Sequence, residues 1–308
     1  MYKISKKPLL VLAPLAGYTD LPFRKIVKKL GVDLTISEMI SSNALAYSSE
    51  KTYKMIQKSP NENPYFVQLS GSDPDIMRLA VEKLNAIDGI DGIDLNCGCP
   101  APKVFNHGSG SSLLGDLPKL QEILSTIKRY SNKKYTTVKI RIGIDVKIPV
   151  DIAKAIEDCG ADMISVHGRT KKGAYKAPVD YDAIRLIKEA VQIPIIANGD
   201  ITDYDKAKKV LDITGANGIM IGRGAIGKPW IFHQISSNNH DITNELKKQI
   251  ILEHFDYMID HYKDYGVVMF RKHLHTYSKG YPLANEFRDE INNVVDVGLT
   301  KTIIKSFF

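Results

Sequence analysis

Eight short apolar, β-branched runs separated by amphipathic stretches predict an α/β protein, a TIM (β/α)8 barrel with a small all-helical C-terminal domain. The runs are almost continuously apolar, as parallel strands covered on both faces are. They recur within the first ~225 residues, about the length such a barrel occupies. After Gly227-Lys-Pro-Trp230 the strand-like runs stop and helical spacing takes over.

In order, the runs are Leu9–Ala13, Leu34–Ser37, Tyr65–Leu69, Gly92–Asn96, Thr137–Arg141, Met163–His167, Ile193–Ala197 and Gly218–Ile221. Between them, helical patterns fall at Asp75–Ala86, Leu117–Tyr130, Val150–Cys159, Tyr181–Ala190 and Tyr204–Ile213. An open doubly wound sheet would need a G-x-G-x-x-G turn after its first strand, and Pro14-Leu-Ala-Gly17 is not one. The barrel is therefore assigned to residues 1–235. Ser236–His240 reads as a linker. Helical pieces at Asn244–Tyr262, Val267–Ser278, Ala284–Asn292 and Val295–Lys305 then make a domain at 243–308.

With 44% hydrophobic and 25% charged residues among 308, the chain is not disordered or of low complexity. No apolar run approaches the ~20 residues that span a bilayer, so no membrane association is expected. Lys3, Lys6 and Lys7 ahead of Pro8–Ala13 imitate a signal peptide. That apolar stretch is short, bounded by Pro8 and Pro14, and leads into a helix start at Asp20, so it reads as a buried first strand. Cys97, Cys99 and Cys159 are too few for a disulfide scaffold and lack zinc spacing. A reducing cytoplasm and no metal are expected. The net charge of +7 is a modest excess that suits a polyanionic partner.

In a barrel of this kind, functional groups sit where strands end and the following loops begin. Here those points carry Pro14-Leu-Ala-Gly17, Glu38, Gln68, Asn96-Cys-Gly-Cys-Pro100, Lys139 with Arg141, His167 with Arg169, Asn198-Gly-Asp200 and Gly222-Arg223-Gly224. So many polar groups on one rim are not explained by core packing or solubility. The glycines after strands seven and eight would serve as tight turns, or as bare backbone that cradles a phosphate. Cys97 and Cys99 lie in a Gly/Pro turn where packing demands little, which points to a reactive thiol in one of them. Lys139 and Arg141, two apart on a strand, share the interior face and must meet an anion or a polar ligand. A lone His167 would more often be structural; beside those cations it joins the candidates.

Together, Pro14-Leu-Ala-Gly-Tyr-Thr-Asp20-Leu-Pro-Phe-Arg24, Asp94-Leu-Asn-Cys-Gly-Cys-Pro100, Val138-Lys-Ile-Arg141, Val166-His-Gly-Arg-Thr170, Asn198-Gly-Asp200 and Gly222-Arg223-Gly224 resemble the tRNA-dihydrouridine synthase family. The B-type bacterial branch is most similar, and the likeness extends to Phe270-Arg-Lys-His273. The resemblance implies an FMN enzyme that reduces uridines in tRNA with NADPH, acting as a monomer. It implies Pro14, Leu15, Ala16, Gln68, Lys139, His167, Asn198, Gly199, Asp200, Gly222 and Arg223 around the flavin. Cys99 would be the catalytic acid, with Asn96, Arg141, Arg169, Arg271, Lys272 and His273 meeting substrate or tRNA. An ordinary thiol pKa of about 8.5 leaves cysteine protonated at neutral pH, as a general acid requires.

Residues 266–285 contain Arg271, Lys272, Lys279, His273 and His275 with Phe270, Tyr277 and Tyr281, and no acidic residue. Cations there would bind phosphates while the aromatics stack on bases, unless the stretch is a solvated helix face. Cys97 would be inert packing or the partner of Cys99 in an oxidised pair. Another FMN barrel acting on a free pyrimidine would explain the rim but not this stretch. An RNA-binding protein without catalysis would hold no yellow chromophore.

Overall fold

The computed structural model describes residues 7–308; Lys3 and Lys6 of the signal-like start lie outside the described residues. The strands are β1 (Leu9–Leu12), β2 (Thr35–Ile36), β3 (Ile40–Ser41), β4 (Tyr65–Ser70), β5 (Gly92–Cys97), β6 (Tyr135–Arg141), β7 (Met163–His167), β8 (Ile195–Asn198) and β9 (Gly218–Ile221). All pairs are parallel, in the order β1-β9-β8-β7-β6-β5-β4-β2. Backbone bonds Leu12 N–H to Leu34 O (3.1 Å) and Leu34 N–H to Leu10 O (3.2 Å) close the barrel.

The second predicted strand divides into β2 and β3, both paired with β4. Ser37 explains the break: its Oγ, rather than a backbone carbonyl, accepts from Gln68 N–H at 3.0 Å. The ladder is interrupted for three residues, which turns Glu38 toward the backbone N–H of Gly17.

Asp20, Asp73, Asp116, Asp180 and Asp203 each cap the helix that follows, accepting from the N–H three residues on. Proline stands in the first turn after Asp20, Asp73 and Asp116, where its missing N–H costs nothing. The outer faces of the strands pack against these helices in the largest core, which includes Ile93, Leu95 and Cys97.

The barrel interior changes character along its axis. Its lower part is an apolar plug of Val11, Leu34, Ile36, Phe66, Met163, Ile196 and Met220. Further toward the C-terminal ends of β4 to β8 stand Gln68, Asp94, Asn96, Lys139, Arg141, His167 and Asn198. The site is thus set by strand alternation above a packed floor.

The C-terminal helices are Asn244–Tyr262, Tyr265–Tyr277, Ala284–Asn293 and Val297–Phe307. They share a core of Ile251, Phe255, Met258, Phe270, Leu274, Phe287 and Ile304 that takes in Ile26 and Trp230 of the barrel. The first of them lies on the helix Leu21–Lys29: Tyr262 hydroxyl donates to Asp20 Oδ2 (3.0 Å), and Lys29 pairs with Glu253. Among the described residues no helix is long and apolar enough to cross a membrane.

Candidate active site at the barrel mouth

A cavity of about 1080 Å³ opens at the C-terminal ends of the strands. All the residues expected around the flavin line it, together with Cys99, Asn96 and Arg141. Pro14, Leu15, Ala16 and Met39 give it apolar surface, and Gln68, Asn96, Lys139, Arg141 and His167 give it polar surface. That arrangement suits a flat aromatic ligand with a polar edge.

The polar side is a connected network. Asp94 carboxylate accepts from Gln68 Nε2 (2.7 Å) and Thr137 Oγ1 (2.6 Å). Gln68 Oε1 accepts from Asn96 Nδ2 (2.7 Å), and Asn96 Oδ1 accepts the backbone N–H groups of Gly98 (3.2 Å) and Cys99 (2.9 Å). Burial raises the Asp94 carboxyl to about 6 against the pull of its Gln68 and Thr137 hydrogen bonds. Lys139 donates to Asn198 Oδ1 (3.3 Å), whose amide donates to Met220 O (2.7 Å). Burial, then Arg141, lower the Lys139 ammonium to about 8, while Asp94 works in the other direction. His167, 7% exposed, is held down to about 2, first by burial and then by Lys139 and the surrounding arginines, so its imidazole is neutral.

Two residues beyond Asn198, Asp200 joins two cations. Arg169 donates to its Oδ1 at 3.0 Å and Arg223 to the same oxygen at 2.8 Å. The Arg223 guanidinium also lies 4.1 Å from the Tyr175 ring centroid. Arg169 is 4% exposed and does not line the cavity, because Asp200 and the Ala177 carbonyl take up its guanidinium. The expectation that it meets substrate directly is corrected on that ground; it braces Asp200 and stands beside His167. Gly224 permits a close approach: a Cβ there would fall 2.0 Å from the Ile201 carbonyl oxygen. At Gly199, with φ +137°, a Cβ would meet Val179 at 2.9 Å. Bare backbone beside the exposed Arg223 suits an anionic group such as a phosphate.

The two cysteines of the turn part company. Cys97 is fully buried in the layer between strands and helices, and burial, then Asp94, raise its thiol. Cys99, half-buried, lines the cavity, and its carbonyl is held by Ser111 N–H (3.0 Å) and Oγ (2.9 Å). Cys97 is the last residue of β5 and faces the helices, whereas Cys99 lies past the strand's end in the turn that borders the cavity, so Cys97 is packing.

The C-terminal stretch also requires correction. His273, expected to meet tRNA, is wholly buried, stacked on Phe23 (5.7 Å, 17°) and 4.6 Å from the His254 ring. Phe270 and Tyr277 are core residues, and Tyr281 packs on Phe307 and Phe308, so none is a free stacking platform. Arg271, half-buried, donates to the Val294 carbonyl at 3.0 Å. Lys272 stands 5.6 Å from the Tyr18 ring beside the mouth. Sequence reasoning missed Lys171, Tyr175 and Thr276, which line the cavity, and assigned no role to Asp94. Lys171, Tyr175 and Thr276 carry no local signal. For Asp94 there was one: a carboxylate two residues before Asn96 in an apolar strand.

A sequence model of the family described as dihydrouridine synthase matches residues 11–306. A probable tRNA-dihydrouridine synthase of Helicobacter pylori strain J99 is 51% identical over 303 residues, covering 98% of this chain and 92% of that protein. The tRNA-dihydrouridine synthase B of Pectobacterium carotovorum is 39% identical, covering 97% and 95%. Among solved structures, an old yellow enzyme homologue from Zymomonas mobilis aligns with a TM-score of 0.56 at 14% identity. It covers 79% of this chain and 92% of its own, a likeness of fold.

Proposed function

Because the chain belongs to the dihydrouridine synthase family, we propose that it reduces specific uridines of tRNA to 5,6-dihydrouridine, with FMN as its cofactor and NADPH as reductant. It does so as a cytoplasmic monomer. The observation that supports this most is the convergence of Cys99, Lys139, His167 and the Gly222–Gly224 backbone on one cavity.

Pro14, Leu15 and Ala16 form the apolar wall for the ring, and Gln68 and Lys139 meet its polar edge beside His167. Asn198, Gly199, Asp200, Gly222 and Arg223 take the ribityl chain and phosphate. When bound, the FMN supplies the hydride that uracil C6 receives, and NADPH replenishes it. Cys99 holds a proton on Sγ and delivers it to C5, so hydride and proton together saturate the double bond. Lys139, mostly protonated at neutral pH, offsets negative charge at the ring edge. His167 serves as a neutral hydrogen-bonding imidazole and not as an acid. Asn96 and Arg141 meet the base, which is extruded from the folded RNA to reach the cavity. Lys272 and the exposed Lys279 meet phosphates at the mouth.

The purified protein is expected to be yellow. Cys99→Ala should retain FMN and its reduction by NADPH, yet lose about 10²–10⁴-fold in uridine reduction. Full activity in that variant would reassign the acid, and a colourless protein that takes up no FMN would remove the flavin.

A further inference from the structure

Glu38 stands in the gap between β2 and β3, 8% exposed, with its Oε1 on the Gly17 N–H. We propose that it is a positioning residue whose carboxylate pins the Pro14–Gly17 turn to the barrel and so fixes the apolar surface offered at the mouth; this rests on the reading of that turn as part of a flavin site. Two hydrogen bonds hold the ends of the segment: Ala13 N–H donates to Ile221 O (2.9 Å), and Arg24 Nη1 donates to Thr19 O (3.1 Å). Between them the bonds are internal. Leu15 N–H meets Thr19 Oγ1 (2.8 Å), and the Tyr18 and Thr19 N–H groups return to the Leu15 carbonyl (2.9 and 3.0 Å). They shape the turn and fasten it to nothing else. Ala16 and Gly17 are exposed. Among the described residues, the bond to Glu38 is the one hydrogen bond that ties residues 14–18 to another strand or loop.

The acid reaches the turn because Ser37 places it. Ser37 Oγ accepts the Gln68 N–H (3.0 Å) and donates to the Glu38 carbonyl (2.8 Å), so the break between β2 and β3 and the seat of Glu38 have one cause. The other reading of a buried carboxylate is a counter-ion, here for Arg24 or Lys272. Arg24 is committed to Glu62 and to the Thr19 and Gln57 carbonyls. Among the described residues neither cation donates to Glu38. Burial pushes the Glu38 carboxyl up, and the Gly17 N–H pulls it back more than either cation does. Without Glu38, water can satisfy the Gly17 N–H but cannot hold the turn in place.

Two conservative variants separate a pin from a counter-ion. Glu38→Gln gives up the charge but keeps an acceptor at the same reach, and the Gly17 N–H, which only donates, selects its Oε1. Glu38→Asp keeps the charge and falls short of Gly17 by one methylene. FMN release from the holoprotein, followed by flavin fluorescence after dilution, should be about tenfold faster in Glu38→Asp, as losing a hydrogen bond to a charged group implies. Glu38→Gln should release FMN at close to the wild-type rate. Any other order overturns the pin: a counter-ion predicts the reverse, and a residue without bearing on the turn predicts no change in either. A Glu38→Gln protein that does not fold overturns it too, since the charge would then be what is required. Hydrogen exchange of the Gly17 amide should follow the same order, slow in wild type and Glu38→Gln and fast in Glu38→Asp. If Glu38→Asp does not fold, protection of Gly17 kept in Glu38→Gln supports the pin, and wild-type exchange at the rate of an unstructured chain refutes it. Should exchange respond as stated in a protein that takes up no FMN, the pin stands and the flavin reading fails.

Discussion

The barrel mouth and the joint with the C-terminal helices both bury histidines among cations, and they treat them in opposite ways. At the mouth, His167, Lys139, Arg141 and Arg169 are tied to polar partners and gathered at or beside an open cavity. At the joint, His254 and His273 sit inside a cage of Phe23, Phe270 and Tyr277. Among the described residues, both ring nitrogens of His273 and the Nε2 of His254 have no hydrogen-bond partner. The same residue types act as chemistry in one place and as packing in the other. What separates them is the carboxylates: Asp94 and Asp200 orient the mouth, whereas Asp20 at the joint is committed to the Phe23 N–H and the Tyr262 hydroxyl.

Apolar replacements should pull the two regions apart. Lys139→Met removes a cation from the mouth, and uridine reduction should fall about 10²–10³-fold, the usual effect of deleting one charge-stabilising donor. Its stability in urea should not fall, because a desolvated ammonium goes with it. A variant that is less stable but still active would show that Lys139 is structural. At the joint the expectation is reversed. His273→Phe should retain uridine reduction and be as stable as wild type or more so by about 1 kcal/mol, since no hydrogen bond is lost. A loss above about 2 kcal/mol would reveal a partner for the imidazole and erase the contrast.

Acid should expose the joint next. Burial holds His254 down to about 3 and His273 well below its ordinary value, as it does His167. In the unfolded chain these histidines take up protons near pH 6.5, which the folded chain refuses. Folding stability is therefore whole above about pH 6.5 and falls with pH below it, by up to about 1.4 kcal/mol per unit for each histidine. Asp94, raised to about 6, opposes this, because the folded chain binds its proton first. Urea unfolding between pH 7 and 5 should show a steep decline, and His273→Phe should remove one proton's share. A flat profile would mean that the imidazoles are solvated.

The site was legible wherever strand alternation alone determines direction. Lys139 and Arg141, Gln68, and His167 with Asn198 on neighbouring strands all follow from period two and the rule that function sits at strand ends. The joint was misread although its signal was present: Phe270, His273, Leu274 and Tyr277 stand at i, i+3, i+4 and i+7, an inward helix stripe. Counting cations and aromatics over the segment concealed that phase. Other features lie beyond any local pattern. Arg169 is buried because Asp200, 31 residues away, meets it, and β2 ends because the Ser37 side chain takes a ladder bond.

Outside the joint, the last turn of the same helix and the turn that follows it reach the mouth. Thr276 and Lys279 line the cavity, and Lys279 is exposed. If that face contacts RNA through phosphate, Lys279→Ala should weaken tRNA binding alike for every tRNA, without changing which uridines are reduced. The slope of log K against log salt should lose about 0.7–0.9, the share of one phosphate contact. His273→Phe, six residues earlier on the buried face, should leave that slope unchanged. Equal slopes in wild type and Lys279→Ala would place the RNA contacts on the barrel loops instead, around Lys171 and Arg223. The division of labour between the helix's buried stripe and the turn after its end would then fail at that turn.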